Sequence, residues 1–367
     1  MSILQDVMTR RPRPLTNLTA QDQVVLFPSL GYLSRDKQHW IIDLHGDVYA
    51  PSAKISLGKK LLLRWLKRSM RASDEDFASE LFLHRINRFL SDDRGGRRIA
   101  VEVGDHTYVL TKKSHRNGHI HAPLRIPISQ LQNAVVEPTS SGLKIDVHVP
   151  GNLGIAVAKG YAHLLPPHGV SIISDIDDTL KHSYVACKRT LLTNTFLRPF
   201  ETIPGMSALF QDWSARHAAI HYISSSPWQL YDHLQKHLAA EGFPAGTFHL
   251  RAFRLRDHLL RRLLMVRRSG KAAVIRNLIK TFPERQFILV GDSGEHDPEI
   301  YGSLARRFPD QIAAILIRQL DAPVASPSRY LRAFRGVEPS LIQLFRTADE
   351  LATNPNVAKA LSTQPLL

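Results

Sequence analysis

The pattern of apolar and polar residues changes in character near Pro166. Before this point, short stretches of alternating apolar and polar residues are separated by glycine, asparagine, aspartate and proline, which is typical of half-buried strands joined by turns. These stretches are Ile99–Val103, Tyr108–Leu110 and Leu143–Val149. The pattern predicts a β-rich, sandwich-like N-terminal domain over residues 1–165.

Two segments of this N-terminal part have the spacing of amphipathic helices. They are Leu57–Met70 and Asp74–Leu90, and Ser73 followed by Asp76 at the third helical position predicts a capped start for the second. The domain is therefore predicted to contain one or two helices.

Beyond Pro166, short apolar runs typical of buried strands alternate with helical patterns. The predicted strands are Val170–Ile176, Ala219–Ser224, Phe248–Phe253, Phe287–Val290 and Ile312–Ile317. The predicted helices are Trp228–Ala240, Lys271–Thr281, Pro298–Arg307 and, in a C-terminal tail, Leu341–Ala352. Alternation of this kind indicates an α/β domain with a Rossmann-like parallel sheet, here over residues 166–367.

Composition and charge limit the setting in which the protein works. No run reaches eighteen apolar residues, and Met1–Pro14 lacks the apolar stretch of a secretory signal, so the sequence predicts a cytoplasmic protein. Cys187 is the only cysteine, which excludes an internal disulfide and a cysteine-based zinc site. The formal charge of +15 predicts attraction to polyanions, whether nucleic acid, an anionic membrane surface or a phosphorylated substrate.

Polar residues cluster where the strands of the predicted parallel sheet end, which is where such sheets bind ligands. The first strand runs into Asp175, Asp177 and Thr179, and the second ends at Ser224, Ser225 and Ser226. Lys271 opens the helix before the fourth strand, and that strand leads into Asp292 and Asp297. We expect these side chains to meet in one cleft.

Each residue type in this set has a role in phosphoryl transfer. Asp175 is the predicted nucleophile and Asp177 the predicted acid and base. Ser224 would donate to phosphoryl oxygens, and Lys271 would neutralise developing charge. Mg²⁺ is the expected cofactor because several carboxylates and a phosphate in one cleft repel one another. Its expected ligands are Asp175, Asp292 and the backbone carbonyl of Asp177, with Asp297 holding Lys271 or a metal-bound water.

The order of these residues resembles the four motifs of the haloacid dehalogenase superfamily, and more closely the phosphatidate phosphatase family typified by the yeast actin-patch protein. The segments that carry the resemblance are Ser174–His182, Tyr222–Gln229, Leu250–Arg251 and Phe287–Tyr301. The resemblance implies release of phosphate from phosphatidate, with Asp175 as nucleophile and Asp177 as acid/base. Candidate substrate-binding residues are Thr179, His182, Ser225, Ser226 and Arg251.

Segment lengths bear on the substrate. The stretches between the first cluster and the second, and between the second and Lys271, are too short for a large cap domain, which predicts an open cleft suited to a bulky substrate. The insert Arg189–Glu201, rich in leucine and phenylalanine, is interpreted as a small flap that touches lipid. The expected partner is an anionic phospholipid or a membrane surface. The alternatives are a phosphoprotein, nucleotide or metabolite phosphatase, and a lipid- or nucleic-acid-binding homologue without turnover.

Three other features have more than one interpretation. Lys59–Arg71 is either a basic helix lying on an anionic membrane or, as we favour, a helix packed on the core with a solvated basic face. The arginines of Arg251–Arg268 either contact lipid phosphate or serve solubility. His119 and His121 form a pair that would need a third ligand to bind metal. The sequence lacks the interleaving of aromatic and basic residues that would indicate a specific nucleic-acid partner.

Overall fold

The computed structural model of the protein describes residues 15–131, 136–139, 141–150, 156–251, 268–321 and 326–362. The strands are β1 (Gln23–Leu33), β2 (His39–Ala50), β3 (Asp92–Asp93), β4 (Ala100–Val103), β5 (His106–Val109), β6 (His119–Pro127), β7 (Val136–Thr139), β8 (Gly142–Pro150), β9 (Ala156–Leu165), β10 (His168–Asp175), β11 (Ala219–Pro227), β12 (Thr247–Arg251), β13 (Glu284–Asp292), β14 (Ile312–Arg318) and β15 (Ile342–Phe345). The helices are α1 (Leu57–Met70), α2 (Asp74–Ala78), α3 (Glu80–Leu90), α4 (Lys188–Phe196), α5 (Met206–Ala215), α6 (Tyr231–Ala240), α7 (Arg268–Thr281), α8 (Asp297–Arg307), α9 (Pro327–Ala333) and α10 (Pro355–Ser362). The fold is mixed α/β with two sheets.

The first sheet is curled and largely antiparallel. Its order is β3-β2-β1-β9-β8-β4-β5, with β6 on β2 and β7 on β8, so the described strands form one hydrogen-bonded sheet. Along β2, Trp40, Ile42 and Leu44 are buried in the core of this sheet, whereas Asp43 and His45 are half-buried on the opposite face. This alternation is the period of two that the sequence pattern predicted for the β-rich part.

Helices α1 to α3 lie between β2 and β3 in the chain. The prediction of Leu57–Met70 is confirmed, and the predicted capping box of Ser73 and Asp76 is present. The prediction of one helix over Asp74–Leu90 is wrong, because Ser79 has extended backbone (φ −63°, ψ 141°) and caps α3 by accepting from Phe82 N at 3.3 Å. Serine favours such caps over helix interiors because its hydroxyl competes for backbone donors.

These helices pack on the second part of the chain. The buried face of α1 and α3 shares a core with strand β10 and helix α4. Arg85 of α3 donates to the carbonyls of Asn194, Thr195 and Arg198 at 3.1, 2.9 and 2.6 Å, which satisfies carbonyls at the end of α4. The N-terminal helices therefore fix the position of α4.

The second sheet is parallel throughout, with the order β12-β11-β10-β13-β14-β15. The predicted strands and the helices between them are confirmed, with ends that differ by a few residues. From β10 the chain builds outward to β12 on one side and then returns to β13 on the other. The point where the order reverses therefore lies between the carboxyl ends of β10 and β13, where a ligand site is expected in such sheets.

The predicted tail helix Leu341–Ala352 is wrong. Ile342–Phe345 forms β15, which pairs in parallel with β14, and Ala348–Leu351 is a single 3₁₀ turn capped by Thr347 and Glu350. The segment forms a strand because it can pair with the backbone at the edge of β14. The spacing of apolar residues in the sequence does not reveal that pairing. A helix does follow, as α10. None of the described helices combines the length and apolar character needed to cross a membrane.

Candidate active site

The predicted site residues lie at the carboxyl edge of the parallel sheet. Asp175 is the last residue of β10, and Asp292 is the last residue of β13. Asp297 begins α8, Lys271 lies in the first turn of α7, and Ser224 precedes the end of β11. Parallel pairing brings these ends together, although the residues are far apart in the chain.

Lys271 joins two of the carboxylates. Its Nζ lies 2.7 Å from Asp175 Oδ1 and also contacts Asp297 Oδ1, and all three side chains are buried. Burial lowers the pKa of Lys271, but the negative charges of Asp175 and Asp297 outweigh this effect and raise the pKa well above its ordinary value. Lys271 is therefore a permanent cation beside Asp175.

The carboxylates outnumber this cation. Oxygens of Asp175, Asp292 and Asp297 lie within 4.8 Å of one another. Burial raises the pKa values of Asp175, Asp292 and Glu295 well above their ordinary range, and neighbouring carboxylates raise them further. Asp292 Oδ2 is buried without a hydrogen-bond partner among the described residues. A buried, oxygen-only donor set with an unpartnered oxygen and excess negative charge fits a hard cation such as Mg²⁺.

Asp177 lies in a separate hydrogen-bonded group. Its Oδ1 accepts from Lys181 Nζ at 2.6 Å and Ser183 Oγ at 2.7 Å, and its Oδ2 accepts from Ser224 Oγ at 2.7 Å and Ser226 Oγ at 2.9 Å. Burial raises the pKa of Asp177, but Lys181 and these hydroxyls outweigh burial and hold the pKa below its ordinary value. The carboxylate of Asp177 is thus held by Lys181 and three hydroxyl groups, whereas that of Asp175 is held by Lys271.

The loop that carries Asp177 is shaped by Asp178. Asp178 has a left-handed backbone (φ 57°), which is uncommon for a residue with a side chain. Its carboxylate accepts from the backbone N–H groups of Ser183, Tyr184 and Val185 at 2.7 to 2.8 Å. These bonds satisfy loop donors and bring Ser183 next to Asp177.

Of the remaining predicted residues, most line the cleft. Thr179 Oγ1 lies 3.5 Å from Asp175 Oδ2, and Ser225 Oγ lies 3.5 Å from Glu295 Oε2. Ser225, Ser226 and Arg251 line the cleft together with Asp177 and Glu295. The rest of the Arg251–Arg268 run, up to residue 267, lies outside the described residues, as do residues 1–14.

His182 lies elsewhere. Its ring stacks on Tyr184 at 5.9 Å, and it lines a neighbouring cavity with Arg318 and Asp321. The structure therefore does not bring His182 together with the carboxylates.

Three residues of the site were missed from the sequence. Lys181 and Ser183 bind Asp177, and Glu295 adds a buried carboxylate. Lys181 lies four residues after Asp177, and a signal for it was available, since a buried carboxylate at a strand end calls for a nearby cation. Ser183 had no such signal, because its position depends on the left-handed turn at Asp178.

The arrangement separates two carboxylates by environment. Asp175 has the ammonium of Lys271 on one oxygen, and among the described residues its other oxygen has a single long side-chain contact, with Thr179. Asp177 is held by Lys181 on one oxygen and by serine hydroxyls on both. Paired carboxylates with different surroundings are suited to nucleophilic attack by one and proton transfer by the other.

Comparison with known proteins finds similarity over this region. Residues 170–319 match the family model described as Phosphatidate phosphatase APP1, catalytic domain. The chain is 32% identical over 185 residues to Phosphatidate phosphatase APP1 of Saccharomyces cerevisiae, covering 49% of this chain and 31% of that protein. It is 34% identical over 171 residues to an uncharacterized protein of Schizosaccharomyces pombe, covering 45% of this chain and 28% of that protein.

The chain thus spans about a third of the length of these two relatives. A solved β-glucuronidase from Parabacteroides merdae aligns with 82% of this chain and 34% of its own, at 10% identity and a TM-score of 0.24, which is too low to indicate a shared fold. The matched segment 170–319 contains Asp175, Asp177, Lys271, Asp292 and Asp297. Residues 170–319 of this chain are therefore similar to the catalytic domain of the APP1 phosphatidate phosphatase family.

Proposed function

We propose that the chain is a Mg²⁺-dependent phosphatidate phosphatase that works through an aspartyl-phosphate on Asp175. The observation that carries the proposal is the meeting of Asp175, Lys271 and two further buried aspartates at the point where the parallel sheet reverses its strand order, inside the segment that matches the APP1 catalytic domain. We assign residues 166–367 to a phosphatase domain of haloacid dehalogenase type with a small cap or none, and residues 1–165 to an N-terminal β-rich domain.

In the first step, a carboxylate oxygen of Asp175 attacks the phosphorus and forms a P–O bond as the P–O bond to the leaving alkoxide breaks. Asp177 gives its proton to this alkoxide, which leaves as the alcohol, diacylglycerol. Asp177 must be protonated to do so, and an approaching phosphate dianion raises its pKa against the effect of Lys181.

In the second step, water attacks the phosphorus of the aspartyl-phosphate while Asp177 accepts the proton of that water. Phosphate leaves and Asp175 returns to its starting form. Lys271 remains beside Asp175 through both steps and stabilises the charge on the phosphoryl group, and we assign a similar role to the hydroxyl of Ser224.

Asp175 and Asp292 would hold Mg²⁺, with Asp297 supporting Lys271 or a metal-bound water. The ion would supply Lewis-acid stabilisation of the phosphoryl oxygens. The unpartnered Oδ2 of Asp292 supports its assignment as a ligand. Asp177 would contribute its backbone carbonyl, consistent with a side chain that is engaged by Lys181.

The walls of the cleft support a lipid substrate. Beside Asp177 and Arg251, the cleft is lined by apolar side chains of α3 and α4, namely Phe89, Leu191, Leu192 and Phe196. Helix α4 overlaps the insert Arg189–Glu201, for which a lipid-touching flap was predicted, and Arg85 of α3 binds carbonyls at its end. An apolar wall next to a cationic and hydroxyl-rich floor suits a phosphate ester with apolar chains.

We further propose that the protein associates peripherally with anionic membranes through α1. The interpretation of α1 as a helix packed on the core accounts for one of its faces, since Leu62, Leu66 and Met70 are buried. The other face is exposed and carries Lys60 and Arg64 beside Leu57 and Leu61, which are 73% and 47% exposed. Cosedimentation with phosphatidate-containing vesicles should fall for Lys60→Glu with Arg64→Glu and not for Lys280→Glu. Equal sedimentation of the Lys60→Glu/Arg64→Glu variant and Lys280→Glu would contradict membrane binding through this face of α1.

The activity is tested by phosphate release from phosphatidate in mixed micelles and from a soluble aryl phosphate. Wild type should release phosphate from phosphatidate in Mg²⁺, and Asp175→Asn should not. The matched control is Asp310→Asn, at an exposed aspartate, which should retain wild-type activity. Equal phosphate release by wild type and Asp175→Asn would refute the proposed enzymatic activity. A preference of wild type for the soluble aryl phosphate would refute only the proposal that the substrate is a lipid.

A further inference from the structure

A second cluster of metal-ligating side chains lies on the curled sheet, outside the proposed active site. Strands β2 and β6 pair in an antiparallel register that sets His45 directly opposite His121. Asp43 lies two residues before His45, so the period of the strand places it on the same face. The atoms of Asp43, His45 and His121 that could bind a metal ion all lie within 4.8 Å of one another.

The carboxylate of Asp43 lies between the two imidazoles. Its Oδ2 is 3.1 Å from His45 Nε2, and its Oδ1 is 2.7 Å from His121 Nε2. The two rings stack with centroids 4.3 Å apart. Both imidazoles thus present the same nitrogen, Nε2, to one carboxylate.

These separations are close to those of a tetrahedral zinc site. With Zn–N and Zn–O bonds of about 2.0 to 2.2 Å, neighbouring ligand atoms lie roughly 3.3 Å apart. The observed distances of 2.7 and 3.1 Å are shorter than this value by about 0.6 and 0.2 Å, a difference that rotation of the Asp43 and His121 side chains can supply. The side chains of Asp43 and His121 are 41% and 48% exposed, so a cation and a water ligand can reach them.

The sequence pair His119 and His121 does not act as a unit. His119 lies beside His45, with ring centroids 5.9 Å apart, but it packs against Phe27 and Trp228 at 6.4 and 6.0 Å. The partners of His121 come instead from the neighbouring strand β2, which supplies both Asp43 and His45.

We propose that Asp43, His45 and His121 bind one divalent transition-metal ion, Zn²⁺ by ligand preference, with water completing the coordination. Two imidazoles and one carboxylate suit Zn²⁺, whereas the oxygen-only group of Asp175, Asp292 and Asp297 suits Mg²⁺. The two sites therefore differ in metal class. The zinc site does not depend on the proposed phosphatase activity.

Calorimetric titration of the full chain tests the proposal. The protein is stripped of metal with a chelator, supplied with millimolar Mg²⁺ to occupy the oxygen-only site, and titrated with Zn²⁺. Wild type should bind one Zn²⁺ per chain, and Co²⁺ in its place should give the intense visible bands of a tetrahedral ion. Loss of one ligand in His121→Gln or in Asp43→Asn should weaken binding by at least about 100-fold, more than outer partners of a metal site contribute.

His168→Gln is the matched control. His168 also contacts a carboxylate, Glu284, at 3.4 Å, but that pair belongs to neither metal-ligating group found in the described residues. The His168→Gln variant should therefore bind Zn²⁺ with the affinity of wild type. Should either ligand variant unfold without metal, as judged by circular dichroism, the other and His45→Gln provide the same test. Absence of saturable Zn²⁺ binding by wild type in Mg²⁺, or wild-type affinity in the folded ligand variants, would overturn the proposal.

Discussion

Removal of the charge on Lys271 tests the electrostatic balance of the site. In Lys271→Met, Asp175 and Asp297 lose the buried ammonium that contacts both of them. Removing one partner of a buried ion pair costs about 3–5 kcal/mol of unfolding free energy, because the other charge is left uncompensated. Loss of a donor that stabilises transition-state charge lowers kcat by about 10² to 10³.

The stability loss should depend on pH and on metal. Burial raises the pKa of Asp175 above its unfolded value, so its folded state gains protons first as pH falls. A carboxyl group of this kind stabilises the fold most below its unfolded pKa and loses that contribution as pH rises through the folded pKa. The deficit of Lys271→Met should therefore be greatest at neutral pH and shrink in acid. Mg²⁺ should also reduce it, because the cation binds the folded state.

Urea unfolding at pH 7 and pH 5, with chelator and with Mg²⁺, measures these effects alongside kcat. Lys280→Met on the same helix is the matched control, since Lys280 is exposed and should tolerate the change. The reasoning is refuted if Lys271→Met unfolds within about 0.5 kcal/mol of Lys280→Met, the range expected for surface changes, and keeps its kcat.

Three further predictions follow from individual contacts. Lys181→Met removes the cation that lowers the pKa of Asp177, so that pKa should rise by about 1–3 units. The alkaline limb of the pH profile of kcat should then move to higher pH. An unchanged limb would contradict the assignment of Asp177 as the proton donor. Burial lowers the pKa of His163 from 6.5 to about 4, so its stabilising contribution is complete above pH 6.5 and is lost as pH falls toward 4. Between pH 7 and pH 5 this loss is about 2 kcal/mol, and urea unfolding of His163→Gln should show a pH dependence smaller by that amount. In Gly291→Ala the new Cβ would collide with Asp297 Oδ2, so kcat should fall at least tenfold, whereas Gly270→Ala, whose Cβ meets no atom of the described residues within 4 Å, should retain wild-type kcat.

The position of the candidate site could be predicted from the sequence because parallel sheets have a simple rule. Buried apolar runs give the strands, and polar residues directly after them must share one edge of the sheet. Asp175 and Asp292 follow this rule, as each ends a central strand of the parallel sheet. Residue type then limits the chemistry, which is why a nucleophile, a cation and an acid/base pair could be named.

The parts that could not be predicted depend on contacts across the fold. Ser183 lies next to Asp177 because Asp178 adopts a left-handed turn and its carboxylate binds three backbone donors of the loop. The break at Ser79 reflects competition between a serine cap and the helix interior. Likewise, His45 has no sequence signal beside His121, because antiparallel register alone makes them neighbours.

Acid-quench trapping with phosphatidate that carries a labelled phosphate tests the central claim most directly. The protein is mixed with this substrate in Mg²⁺, stopped in acid within one turnover and digested for peptide mass analysis. Attack by Asp175 predicts a labelled phosphoryl group on the peptide that contains Asp175 in wild type, and no label in Asp175→Asn. Turnover by wild type without a labelled peptide, or the same label in Asp175→Asn, would contradict the account.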